Sequence, residues 1–357
     1  MDGTLREDAV ELGGNAKQRF YDARGYGRPA GGDRIELTAV EAAHLLFRGD
    51  LDAVVVDGDR LDFEPFFIHT AGETTAFTKR FLVYSDLRDR GFYLSPARKG
   101  WPGADALDET SPIDFTVYPR GSGPGDGSVA HRISVHGERE RIPAAGLAGR
   151  TLAIVDEESE ITYFELTRPS FEGASMYEPP EPIEAELIGD RVVCWDPPDA
   201  VHERGFYGQP LSGRAAIVEG AIQLSLVEAA GLAAIDRLSV AGESDPYAAI
   251  VERGRAVEGE RFDRRLAVYE HLRAQDVVPK TGFKFGADFR TYDAVETVSE
   301  LPHSERLVRV VPPDHVFDPR ELSLDVRLAG GVRKRMVFAL TDATGQITWL
   351  SASRLTP

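Results

Sequence analysis

The 357-residue chain is expected to fold as a mixed α/β, α+β protein made twice from one plan. Three observations predict this. First, long stretches recur: KRFLVYSDLRDRGF from Lys79 matches RRLAVYEHLRAQDV from Arg264, and DFTVY from Asp114 matches DFRTY from Asp288. AGRTLAIVDEESEITYFEL near Ala148 resembles MVFALTDATGQITWLSA near Met336, and ARGYGRP from Ala23 echoes ERGFYGQP from Glu203. Second, the stretch from Arg168 to Glu184, RPSFEGASMYEPPEPIE, spaces its prolines too closely for a helix or a central strand, so it reads as a linker. Third, each copy alternates helix-periodic and strand-like segments instead of keeping to one period.

Taken in order, TAVEAAHLLFRG repeats apolar residues at i, i+3 and i+4 and reads as a helix, and DAVVVDG as a short strand ended by a turn. The segment KRFLVYSDLRDRG reads as the next helix, stopping at Gly91. LSLVEAAGLAAI and RRLAVYEHLRAQ repeat those two helices in the second copy. There FKFGADFRTY and ERLVRVVP read as strands, ELSLDVRLAGGV as a helix, and RMVFALT and QITWLSA as strands. The similar terminal strands EITYFEL and QITWLSA are expected to pair and hold the copies together. The organisation is an N-terminal αβ module over 1–72, a second αβ module over 73–167, the linker 168–184, and the two modules again over 185–258 and 259–357.

Composition narrows the functions. Hydrophobic content of 42% is ordinary for a globular protein, and no run approaches the ~20 apolar residues of a membrane helix. The opening MDGTLREDAVELGG lacks the basic-then-apolar shape of an export signal, so a cytoplasmic protein with no membrane partner is expected. A lone cysteine, Cys194, leaves no intrachain disulfide and no CxxC metal site, and it reads as a small packed apolar residue. The 59 acidic against 41 basic residues give a net charge of −18, with Arg favoured over Lys. That composition looks halophilic: in about 1 M salt, repulsion is screened within ~3 Å. The nine residues from Arg327 to Arg335 reverse the sign locally, with Arg327, Arg333, Lys334 and Arg335 and no acid, as a polyanion site would.

The stretch from Pro279 to Leu340 holds Tyr292, His303 and Lys334. Singly, such residues are usually packing, surface or helix-capping groups. Their surroundings are more specific. GFKFGADFRTY, LPHSE, DHVF and VRKRMVF, in that order and at those gaps, closely resemble the archaeal tRNA-splicing endonucleases, in the family's long, internally duplicated form. The resemblance implies a restriction-endonuclease-like nuclease fold for the last module. It also implies an RNA endonuclease that excises introns from precursor tRNA at bulge-helix-bulge motifs, without metal or cofactor. By position, Tyr292 would be the base, His303 the acid and Lys334 the electrostatic stabiliser, leaving 2′,3′-cyclic phosphate and 5′-hydroxyl ends.

The residue chemistry agrees with that assignment. Histidine, with a free pKa of about 6.5, is a natural proton donor to a leaving oxygen. Lysine is a point charge for phosphorane oxygens. Tyrosine, with a free pKa of about 10, needs nearby cations to act as a base. Copy one keeps Tyr118, has Ala148 where Lys334 stands, and replaces LPHSE by the Gly-rich PRGSGPGDGSVA. His131 and His136 fall further on and read as surface or structural. One copy is therefore expected to be catalytic and the other structural.

Further expectations concern partners. The family sandwiches a bulged base between two arginines, which by position would be Arg327 and Arg354, while Lys284 and Arg290 would contact backbone phosphates. The acidic turn with Asp156, Glu157, Glu158 and Glu160 would dock into a basic cleft on the catalytic copy of a partner chain, giving a homodimer. Alternatives are a non-catalytic RNA-binding or assembly subunit, and a metal-dependent nuclease of related fold. Asp288 would serve the latter, but Arg333 and Arg335 flank Lys334, where they would repel a divalent ion.

Overall fold

The computed structural model describes residues 1–102, 104, 113–211, 220–342 and 344–357. Each copy opens with a small sheet built around a hairpin. In copy one, Asp2–Arg6 pairs antiparallel with Ala9–Leu12 and parallel with Ala53–Val56, within a six-stranded sheet. In copy two, Ile183–Ile188 pairs antiparallel with Arg191–Cys194 and parallel with Leu238–Val240, within a five-stranded sheet. The parallel crossover in copy one carries helix α1 (Ala39–Phe47), followed by α2 (Phe63–Glu73) and α3 (Phe77–Asp89). Copy two has the short α4 (Asp199–Glu203), then α5 (Leu226–Ala234), α6 (Pro246–Glu258) and α7 (Glu260–Ala274).

Local chemistry sets these boundaries. α1 and α5 start at Thr38 and Ser225, each closing a capping box with the glutamate three residues on, Glu41 or Glu228. Proline at the first turn and the Asp245 side chain on Ala248 N–H start α6. The sequence pattern gives one helix per N-terminal module, and the structure adds α2, the one-turn α4 and α6. α2 buries only Phe66 and Thr70 and carries Pro65 and Gly72, so little helical periodicity is legible there. α6 buries only Ile250, Val251 and Gly254.

The second modules of the two copies share one ten-stranded sheet. Its seam is the antiparallel pair Ile161–Thr167 and Ile347–Leu355, with Leu166 opposite Ala352, so the terminal strands pair as their likeness predicts. On the Arg335–Thr341 strand, Val337 and Ala339 join the core beneath α7, while Met336, Phe338 and Leu340 join the core beneath α8 (Pro319–Gly331). A strand covered on both faces shows as the continuous apolar run MVFAL. One expectation is corrected. FKFGADFRTY is not a single strand: Phe283–Phe285 is a 3₁₀ turn, Gly286 takes φ +69°, and only Phe289–Tyr292 is strand. Backbone hydrogen bonds from Phe285 and Ala287 N–H to Gly282 O close that loop.

Candidate active site

Sheet register brings the candidate residues together at one end of the catalytic half. Phe289–Tyr292 runs antiparallel to Arg306–Val311, with Thr291 opposite Arg306. Arg306–Val311 runs parallel to Arg335–Thr341, with Arg306 beside Arg335. One residue beyond these pairs, Tyr292, Glu305 and Lys334 form a row. Backbone bonds hold it, from Glu305 N–H to Thr291 O (3.0 Å) and from Arg335 N–H to Glu305 O (3.0 Å). The last sheet pair, Met336 with Ala352, extends the row to Arg354. His303 lies two residues before Glu305 and is exposed.

Each side chain has a distinct setting. Tyr292 is buried against Phe206, Val278 and Val295, its ring edge-on to Phe206 at 5.6 Å. Its hydroxyl has no hydrogen-bond partner among the described residues. Lys334 follows α8, where Arg333 takes φ +57° to turn the chain into the next strand. Its Nζ donates to Ser304 O at 2.6 Å, which ties Lys334 to the backbone beside His303, and lies 5.7 Å from the Phe285 ring. Partial burial, helped by the Arg290 charge, moves the Lys334 ammonium below its ordinary value. A hydrogen bond with Asp293, aided by burial, raises the Glu305 carboxyl above its usual range.

The RNA-contact candidates fall in several places. Arg290 lies 5.8 Å over the Tyr292 ring with its Nε buried and unpartnered, so it sits against the row. Lys284 is exposed on the 3₁₀ loop beside Phe283, which is 85% exposed. Arg327, exposed on α8, lines a surface groove of about 280 Å³ with Phe164, and Arg354 is the cross-strand partner of Phe164. The two arginines therefore approach one strand position from different elements.

Asp288 has a structural task. Its carboxylate pairs with Arg261 and Arg265 and accepts from Val310 N–H at 2.8 Å. Copy one repeats this with Asp114, Arg80 and Val135 N–H. Among the described residues, no group of three or more His, Cys, Asp or Glu could hold a metal ion. The acidic turn also divides. Asp156 Oδ1 accepts from the N–H groups of Glu158 and Glu160 at 2.9 Å each, as Asp342 Oδ1 does from Thr344 and Gln346 in copy two, where Ala343 lies outside the described residues. Asp156 thus builds the turn. Glu157 pairs with Arg139 at the surface, and Glu160 lines the groove that holds Arg320 and Arg327.

Sequence reasoning missed Phe206 and Glu305. ERGFYGQP carries one residue more than ARGYGRP, and that was the available signal for Phe206. The hydrogen bonds show what it does. Gly25 N–H donates to Tyr21 O and Tyr26 N–H to Phe20 O; Phe206 N–H donates to His202 O and Tyr207 N–H to Val201 O. Phe206 therefore occupies the place of Gly25, and both are left-handed, at φ +50° and +64°. A bulky aromatic there costs on the order of 1–3 kcal/mol in strain.

Comparison with known proteins follows the same division. The family model for the tRNA intron endonuclease, catalytic C-terminal domain, matches residues 262–349. The model for the N-terminal domain of that endonuclease matches twice, at 1–67 and 183–248. Curated proteins named tRNA-splicing endonuclease from Haloferax volcanii and Haloarcula marismortui are 56% and 54% identical, over all of both chains. One of the same name from Methanococcoides burtonii is 37% identical over 99% of each chain.

Proposed function

The chain belongs to the tRNA intron endonuclease family, in its haloarchaeal branch, and acts as an endonuclease that removes introns from precursor tRNA; from that premise we propose that copy two cuts by metal-independent transesterification. No helix among the described residues is long and apolar enough to cross a membrane. The observation that carries the proposal is the row Tyr292–Glu305–Lys334, with Lys334 bound to the backbone beside His303.

In this reading the 2′-hydroxyl beside the scissile phosphate attacks it in line. Tyr292 accepts the 2′-hydroxyl proton, and His303 donates a proton to the departing 5′-oxygen. Lys334 faces the charge that grows on the phosphorane oxygens. The products are a 2′,3′-cyclic phosphate and a 5′-hydroxyl, which balances the one bond formed against the one broken. Arg290 over the Tyr292 ring supplies the cation that a tyrosine base needs. Arg327 and Arg354, converging on Phe164, support a pair of planes for an unpaired base of the bulge-helix-bulge, and Lys284 an outer phosphate contact.

One chain carries one complete set of these residues, whereas a bulge-helix-bulge has two cleavage points related by an approximate two-fold. A C₂ homodimer supplies both sites. The acidic turn of copy one is the proposed docking element, through Glu157, Glu158 and Glu160, with Asp156 holding its shape. The test of the chemistry is cleavage of a bulge-helix-bulge RNA in excess chelator, with the product ends mapped. Cyclic phosphate and 5′-hydroxyl ends are expected. A strict Mg²⁺ requirement, or 5′-phosphate ends, would sink the metal-free reading.

A further inference from the structure

Copies one and two hold their equivalent tyrosines by different means. In copy one the Tyr118 hydroxyl donates to Ser95 Oγ at 3.0 Å, inside the protein. Ser95 lies opposite Thr116, and Lys280 lies opposite Arg290, so Lys280 takes the place of Ser95 in copy two. Lys280 spends its ammonium on groups other than the tyrosine. Its Nζ donates to Phe206 O (3.2 Å) and Gly208 O (3.0 Å) and pairs with Glu228, the glutamate that caps α5. Burial drives the Lys280 ammonium below its ordinary value against the pull of Glu228. Burial likewise opposes the charge on Glu228, but Lys280 and Ser225 outweigh it and hold the carboxyl below its usual range.

The residue so clamped is the strained one. Phe206 keeps φ +50° where copy one uses glycine, its ring lies 4.7 Å from Lys280 Nζ, and the Tyr292 and His202 rings meet it edge-on at 5.6 and 5.8 Å. At Gly25 the corresponding space is filled by Tyr93 and Pro124 instead. Only the copy with the complete residue set carries a bulky ring in the left-handed position. Strain held in place by a buried ion pair, against the ring of a proposed base, marks a positioning device.

We propose that Phe206 is a positioning residue for Tyr292: the N-terminal module of copy two, through the Glu228–Lys280 clamp, sets the orientation of the tyrosine ring in the catalytic module. This rests on Tyr292 being the base. Phe206 touches no substrate and acts through the tyrosine alone.

The experiment is a double-mutant cycle read by single-turnover cleavage of a bulge-helix-bulge RNA, with RNA affinity and thermal unfolding measured alongside. Phe206→Leu should slow cleavage by about 10–100-fold, the scale of a small misplacement of a reacting group, with RNA affinity unchanged. Phe206→Tyr, which keeps the ring, should restore the rate. In a Tyr292→Phe background, Phe206→Leu should cause no further loss. Phe66→Leu, at a buried phenylalanine of copy one, is the control for destabilisation and should cleave at the wild-type rate. The proposal is overturned if Phe206→Leu cleaves normally, if its loss multiplies that of Tyr292→Phe, or if Phe66→Leu slows cleavage as much. A Tyr292→Phe enzyme at full rate would instead remove the base assignment itself, a separate and distinguishable result.

Discussion

The two nuclease-like modules share a sheet, a buried tyrosine at the same strand end and the same Asp–Arg brace, yet they use that tyrosine in opposite ways. Tyr118 spends its hydroxyl on Ser95, and burial raises its pKa. Tyr292 has an aromatic neighbour, an overlying guanidinium and a lysine along the sheet end. Counting back from the equivalent strand residues Ile133 and Val308, the His303 position in copy one is Ser128, and the Lys334 position is Ala148. The difference teaches that the fold does not make the site. The scaffold interactions survive in both copies, while the histidine and lysine of the proposed site stand in one.

The largest expected effect belongs to the residue that copy one lacks. His303→Ala should slow cleavage by about 10²–10⁴-fold, the range for losing a general acid, with RNA binding retained. Unaltered cleavage by that variant would remove His303 from the mechanism. Next is the contrast between acidic turns. Reversing Glu157 and Glu158 to lysine should yield monomers with little cleavage, seen by light scattering and an RNA assay. A variant that remains dimeric and active would refute the docking role, and a wild-type monomer that cuts both sites would refute the dimer.

A stability contrast follows from the paired capping glutamates. Glu228 faces Lys280, whereas burial raises the Glu41 carboxyl above its usual range, against hydrogen bonds from Thr38 and Gly27. Glu228→Gln should therefore destabilise by about 3–5 kcal/mol, since it strands a buried ammonium, and Glu41→Gln by clearly less. The pH signs differ too. The carboxyl of Glu228 titrates below its unfolded value, so its contribution is present at neutral pH and lost as pH falls through the folded value. Glu41 titrates above its unfolded value, so its contribution is full in acid and lost as pH rises. Equal thermal shifts for the two glutamine variants would contradict this account.

The smallest effects are expected at the arginines. Arg327→Ala and Arg354→Ala should each weaken handling of bulged RNA by about 1–3 kcal/mol if each stacks on a base. Equal losses on bulged and fully paired RNA would make them plain phosphate contacts.

Much of this contrast was legible in the sequence because it is written in residue identities. The doubled sheets, the helices α1, α3, α5 and α7 and the pairing of the two terminal strands all follow from strings that recur. The helix that follows the capping-box helix in each N-terminal module was not, since α2 and α6 bury too few residues to leave a periodic mark. The 3₁₀ loop at Phe283–Phe285 hid because its apolar residues mimic the strand that follows. Phe206 hid for a subtler reason: matched by letters, Gly25 belongs with Gly205, and only backbone hydrogen bonds align it with Phe206. The row of Tyr292, Glu305 and Lys334 is a matter of register between strands distant in sequence, which spacing alone does not give.

The central claim is that one copy carries out the chemistry and the other holds it in place. Its most direct test is single-turnover cleavage by Tyr292→Phe and Tyr118→Phe, compared at equal folded fraction. The account predicts a large loss of rate for Tyr292→Phe and the wild-type rate for Tyr118→Phe. Equal losses from the two variants, or a wild-type rate for Tyr292→Phe, would contradict it.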